Sequence, residues 1–172
     1  MEVFDYNGIG QWSRDGILLR YEQYAGRLKI ANRLDLSPLE HSGEGKHWIY
    51  PVMDKVIEGI EQGDPACTQI GIEFIEEDTS FTFGMVLKTN TARALRRTTL
   101  TAEQQDRVRR RVVDMLVRGY LPREFRQYVK LAKEIKLGPY LLEIPERADL
   151  TNHWVRHYYN LLRDAELSTE RA

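Results

Sequence analysis

From Trp48 onward, apolar residues recur every three or four positions. Trp48, Val52, Val56 and Ile60 are four apart, and Ile49, Met53 and Ile57 run beside them, which predicts a helix with one apolar face. Pro51 is expected in its first turn, where the missing N–H costs little, and Gln62-Gly63 closes it. Asp64-Pro65 reads as an N-cap followed by the first residue of a new helix, with Cys67, Ile70, Gly71, Phe74 and Ile75 inward. Ser80 is expected to cap a third helix whose inner face is Phe83, Leu87, Thr91, Ala94 and Leu95. Thr101 with Gln104 predicts a capping box. The helix it opens buries Val108, Val112, Met115 and Leu116, and stops at Gly119. Pro122 starts a helix with Phe125, Tyr128, Val129, Ala132 and Ile135 inside, and Gly138-Pro139 breaks the chain again. Tyr140–Ala148 fits more than one state. A last helix from about Thr151 buries Trp154, Val155, Tyr158, Leu161, Leu162 and Ala165, and Ser168–Ala172 is expected to fray.

The first forty-five residues carry weaker signals. Ile17, Leu18, Tyr21, Tyr24 and Leu28 favour a helix, although Gly26 and the Leu28-x-Ile30 alternation also fit a short strand pair. Ser37-Pro38, Gly43 and Gly45 mark a connecting loop, expected to be mobile because no apolar anchor stands between Leu39 and Trp48. The predicted fold class is therefore all-α: one helical domain over 1–172, its antiparallel helices stacked in sequence order as an α-solenoid or an irregular bundle. Gly63-Asp64-Pro65-Ala66 followed by Ile70, Ile72 and Ile75 resembles the second-helix phrasing of HEAT-like repeats, over roughly Trp48 to Ile135. That resemblance implies an extended surface presented to a macromolecule, and it transfers no catalytic residues.

Composition sets the class. The 172 residues are 42% hydrophobic and 30% charged, which fits a folded chain rather than a disordered one. The apolar runs are far too short to cross a bilayer. Acidic Glu2 and Asp5 follow Met1 with no apolar run behind them, so no secretory signal is expected. Cys67 is the only cysteine, which excludes an intramolecular disulfide and a cysteine-based zinc site. A cytoplasmic protein without membrane contact is the expectation.

Charge changes the picture more. The formal net charge of −1 conceals eight acidic residues against the single Lys55 between Asp54 and Asp78. Between Lys88 and Lys136 the chain has fourteen Lys and Arg against five Asp and Glu. Glu58, Glu61, Glu73, Glu76 and Glu77 fall on outer helix faces and form a candidate partner-binding surface, open to a basic protein or to a second copy of the chain. Many of the basic residues have local explanations. Glu103 precedes Arg107 by four and Asp106 precedes Arg110 by four, a spacing that supports a helix. Arg123, Arg126, Lys130 and Lys133 instead form one stripe opposite an apolar face. With Arg107 and Arg111 in support, they outline a helix-turn-helix nucleic-acid site that would hold backbone rather than read bases.

Reactive groups are few. His153 and His157 stand four apart, a spacing that lets two imidazoles face one metal, and His41 and His47 share a loop with Glu40 and Glu44. Hydrogen bonding and packing explain these histidines more simply, and Cys67 packs inward as a small hydrophobe. No cofactor motif is present. The expected function is a non-catalytic helical module that binds another protein through charged helix faces. Nucleic-acid binding through the stripe is the alternative, and a metal enzyme built on the histidines stands second.

Overall fold

A computed structural model describes residues 1–78 and 81–168 of the chain. The chain separates into two units, Met1–Thr98 and Thr99–Ala172. The first is not purely helical. Strand β1 (Glu2–Asp5) lies parallel to β3 (Lys46–Ile49), and β2 (Glu40–Gly43) pairs antiparallel with β3, giving the order β1-β3-β2. The stretch expected as a mobile loop is thus a hairpin. Its two-residue turn, Glu44-Gly45, has both residues at positive φ (51° and 75°), as a type I′ turn requires. Helical periodicity was misleading at Trp48 and Ile49 for a local reason. The α region is disfavoured at Tyr50 because Pro51 follows it, so no helix runs through these residues. Helix α2 begins only at Val52 (Val52–Glu61), and Pro51 is its N-cap.

After a 3₁₀ turn at Gly10–Trp12, Ser13 caps helix α1 (Arg14–Arg27) by accepting the Gly16 N–H. The helix expected there is present. Asp64 caps α3 (Pro65–Glu76) by accepting the Cys67 N–H, with Pro65 in the first turn as predicted. Helices α2 and α3 approach closely because Gly59 and Gly71 lack side chains. A Cβ on Gly59 would lie 2.4 Å from Cys67 Sγ, and one on Gly71 would lie 2.6 Å from Ile60 Cδ1. Helix α4 (Gly84–Arg96) packs on both. Its buried stripe is Leu87, Thr91, Ala94 and Leu95 as expected, but Phe83 is a half-exposed N-cap with φ 63°. The expected cap Ser80 lies outside the described residues, as does all of the expected frayed tail beyond Ser168.

The second unit is helical among its described residues. Helix α5 (Ala102–Arg118) opens with the predicted Thr101–Gln104 capping box and ends at Gly119, whose φ of 66° supplies the left-handed stop. Helix α6 (Phe125–Ile135) starts three residues later than Pro122, which sits in the preceding turn and accepts the Phe125 N–H. Phe125, Tyr128, Val129 and Ala132 are buried. The ambiguous stretch resolves as a 3₁₀ turn (Gly138–Leu142) running into the short α7 (Glu143–Arg147). Helix α8 (His153–Leu167) buries Val155 and Leu162 against its neighbours, but Trp154 is not in the core. No helix among the described residues is long and apolar enough to cross a membrane.

Candidate functional site

The acidic residues of the first unit are largely engaged inside it. Glu73, on α3, receives Arg20 from α1 at 2.8 Å with both side chains mostly buried, and Tyr24 and Gln69 also donate to it. Burial first, and the bond to Glu73 second, push the Tyr24 hydroxyl pKa up. Glu77, just past α3, accepts the Trp12 indole N–H at 2.7 Å and a Gln11 amide N–H, while Lys88 donates to its backbone carbonyl. The Arg20 guanidinium lies 4.1 Å above the Trp12 ring. Glu76 is half-buried and also engaged. Glu58 and Glu61 are exposed, in surface pairs with Lys55 (2.9 Å) and Arg97 (3.5 Å). Beside Glu58 a groove of about 350 Å³ is lined by Leu39, Tyr50, Pro51 and Asp54; burial and the nearby Glu58 hold the Asp54 carboxyl above its ordinary pKa.

The histidines divide into two settings. On the hairpin, Ser42 Oγ is 2.7 Å from His47 Nδ1, and His47 Nε2 is 3.2 Å from Glu40 Oε2. Ser42 was not singled out from the sequence, because its register opposite His47 exists only once the hairpin forms. Ser42 and Glu40 are exposed, while the His47 side chain between them is mostly covered. His41 stacks on Trp48 across the strands, with centroids 5.3 Å apart. His153 and His157 stack on each other at 6.4 Å on the exposed side of α8. Among the described residues, no group of three or more His, Cys, Asp and Glu is placed to hold a metal ion. Cys67 is fully buried, and burial drives its thiol pKa well up, so packing is its role.

The basic stripe of the second unit is a different case. Arg123, Arg126 and Lys133 are exposed and Lys130 is half-exposed. Among the described residues none of the four side chains makes a hydrogen bond or an ion pair. The proposed supporting residues do not join them. Arg111 is only 8% exposed and lies 3.9 Å from Asp114, and Arg107 is half-buried and engaged. Two other arginines of this block have partners within the unit. Arg109 donates from α5 to the carbonyls of Lys136 (2.6 Å) and Ile135 (2.8 Å), and Arg110 pairs with Asp106 at 2.6 Å. The helix-turn-helix outline therefore keeps its second helix and loses the support expected from the first.

At the start of the stripe stands the residue the periodicity misassigned. Asn152 caps α8 by accepting the N–H groups of Trp154 (2.9 Å) and Val155 (3.3 Å), which fixes the first turn. With Val155 and Leu162 directed inward, Trp154 is turned out and is 59% exposed. Tyr158, one turn on, packs edge-on against Phe125 of α6 at 5.1 Å. Between the turn that precedes α6 and the first turn of α8 this leaves a groove of about 380 Å³, lined by Leu121, Pro122, Arg123, Asn152, Trp154 and Tyr158. That is the small end of the range for ligand clefts, roughly 300–1,000 Å³. His153 and His157 sit at 5.1 and 5.9 Å from the Trp154 ring. The groove thus joins an exposed indole to Arg123, and Arg126, Lys130 and Lys133 follow along the solvent side of α6. Trp154 and Val155 are adjacent and belong to overlapping apolar stripes of α8, and packing turns the Val155 stripe inward.

No protein-family model matches this chain, and no curated protein or solved structure is significantly similar to it.

Proposed function

We propose that this chain is a non-catalytic module that binds another protein, and that its principal contact face is the α6/α8 surface of the second unit. One observation carries the reading: Trp154, 59% exposed, shares a groove with Arg123 at the head of a cation row that has no partner among the described residues. Tryptophan, tyrosine and arginine dominate the energy of protein interfaces, because they bring large rigid area and directed charge. The HEAT-like phrasing of Gly63–Ile75 points the same way, since repeats of that kind present surface to a macromolecule. Glu58 and Glu61 form a lesser contact region. Their exposed ion pairs are worth well under about 1 kcal/mol each, so a basic patch on a partner can displace them. A reducing, cytoplasmic setting suits the single buried thiol.

Nucleic acid is the second reading, since an exposed indole beside cations can also stack a base. The overall charge speaks against it as the main ligand. Residues 99–172 hold 14 Lys and Arg against 11 Asp and Glu, a net +3, and residues 1–98 hold 11 against 15, a net −4. Such a chain steers a long polyanion weakly, whereas a local acidic patch needs only the row itself.

The test is affinity capture from nuclease-treated extract with three baits: the natural chain, Arg126→Glu/Lys130→Glu, and Glu58→Lys/Glu61→Lys. A stoichiometric protein held by the natural chain, lost from the α6 variant and kept by the acidic-face variant, supports the proposal. Capture that survives α6 reversal moves the contact face elsewhere, and capture that depends on nucleic acid favours the second reading.

A further inference from the structure

We infer that the α6/α8 face accepts an extended acidic segment bearing one bulky apolar residue. That residue enters the groove between Pro122 and Trp154, and the carboxylates follow Arg126, Lys130 and Lys133. This deepens the protein-binding reading and rests on it.

The groove sets the anchor. Its apolar walls are Leu121, Pro122, Trp154 and Tyr158, with Asn152 and the Arg123 charge lining it as well. An aromatic or large aliphatic side chain fills such a slot and covers the exposed indole. The row sets the rest. At about 1.5 Å of rise per residue, Arg126, Lys130 and Lys133 succeed one another at about 6 and 4.5 Å along α6. Alternate side chains of an extended chain lie about 6.6 Å apart on one face, so acidic residues at every second position meet successive cations. A partner helix is a poorer match. Helix packing needs an apolar seam, and the outward positions Arg126, Gln127, Lys130, Lys133 and Glu134 offer only polar side chains. Glu134, exposed beside Lys133, weakens the far end of the row, so the grip is strongest near Arg123 and Arg126.

The test titrates the isotopically labelled full chain with synthetic peptides and follows the Trp154 indole and the α6 amides by NMR. One peptide carries a single Phe followed by three Glu alternating with Ser. Its variants replace Phe by Ser, or each Glu by Lys, and a ten-residue oligothymidylate is the nucleic-acid control. The expected result is saturable shifts at Trp154 and α6 with the first peptide. Removing its Phe, or making Trp154→Ala, weakens binding at least about tenfold, in line with the loss of one buried aromatic contact. Arg126→Glu weakens it more than Lys133→Glu, and the lysine peptide does not bind. Circular dichroism confirms that these surface variants stay folded. If the first peptide binds no better than its Phe→Ser form, while protein capture still requires Arg126 and Lys130, the inference falls and the protein-binding reading stands. If oligothymidylate saturates the same resonances at lower concentration than any peptide, and capture fails, both fall.

Discussion

The indole Nε1 of Trp12 donates to a carboxylate oxygen of Glu77 at 2.7 Å, and Arg20 bridges the same pair of segments by lying over Trp12 while binding Glu73. Two residues of the acidic block thus tie the entry to α1 onto α3. Removing Glu73 leaves a mostly buried guanidinium without its carboxylate. Glu73→Ala is therefore expected to destabilise the first unit by about 2 kcal/mol. Glu58→Ala and Glu61→Ala, both in exposed pairs, should stay within about 0.5 kcal/mol. Denaturant titration compares the three directly, and equal effects would show that the Arg20–Glu73 pair carries no special weight.

The helix caps at Asp64 and at Thr101 with Gln104, and the stop at Gly119, were legible because each depends on residues within four positions of one another. The β1–β3 pairing was not. It joins Glu2–Asp5 to Lys46–Ile49 across more than forty residues, and neither four-residue segment has enough length to declare itself. The basic stripe was legible as a helical face. Its neighbour Trp154 was not, because the periodicity of α8 contains overlapping apolar stripes and only packing decides which one is inside. The acidic block was read as surface for a related reason. Periodicity shows that Glu73 and Glu77 lie off the apolar face, but not that Arg20, Tyr24 and Trp12 come to meet them.

Tyr21 gives an alkaline signature. Burial pushes its hydroxyl pKa up to about 12, and in the fold it donates to Asp64 (3.0 Å) and accepts the Leu34 N–H (2.8 Å). The folded state therefore holds the proton more tightly than the unfolded chain, whose tyrosine titrates near 10. The stability this provides is complete below about pH 10 and is lost as the pH rises towards 12. Tyr21→Phe should cost about 1 kcal/mol at neutral pH and flatten the alkaline decline. An unchanged slope of stability between pH 10 and 12 in that variant would show that another group governs it.

Cys67 should behave as packing. Its thiol is fully buried with a raised pKa, and the native chain is expected to react with a thiol reagent only at the rate of opening, while denatured chain reacts at once. Gly59→Ala forces a Cβ to within 2.4 Å of its sulfur unless α2 and α3 move apart, so that variant should lose stability and expose the thiol. Fast labelling of the native natural chain would contradict the burial of this contact.

In the second unit, Glu166 of α8 accepts the N–H groups of Leu137 (3.1 Å) and Gly138 (3.0 Å), and Lys136 just before them has φ 62° and ψ 145°. That backbone region is open essentially to glycine alone. With the Lys136 ammonium contact to Ala165 removed in both, Lys136→Gly should be more stable than Lys136→Ala by about 1 kcal/mol. Glu166→Ala should cost about 2 kcal/mol by leaving two N–H groups without their carboxylate. Thermal or denaturant melts of these variants check both the strain and the clamp.

The central claim is a division of labour: Glu73 and Glu77 of the acidic block hold the fold, and the row on α6 is free to bind. Its most direct measurement is the Arg126→Glu/Lys130→Glu double variant, examined for stability by denaturant titration and for binding of the Phe-anchored acidic peptide by NMR. The expected outcome is a stability within about 0.5 kcal/mol of the natural chain and binding weakened at least about tenfold. A loss of stability above about 1 kcal/mol, or binding that survives the reversal, would contradict it.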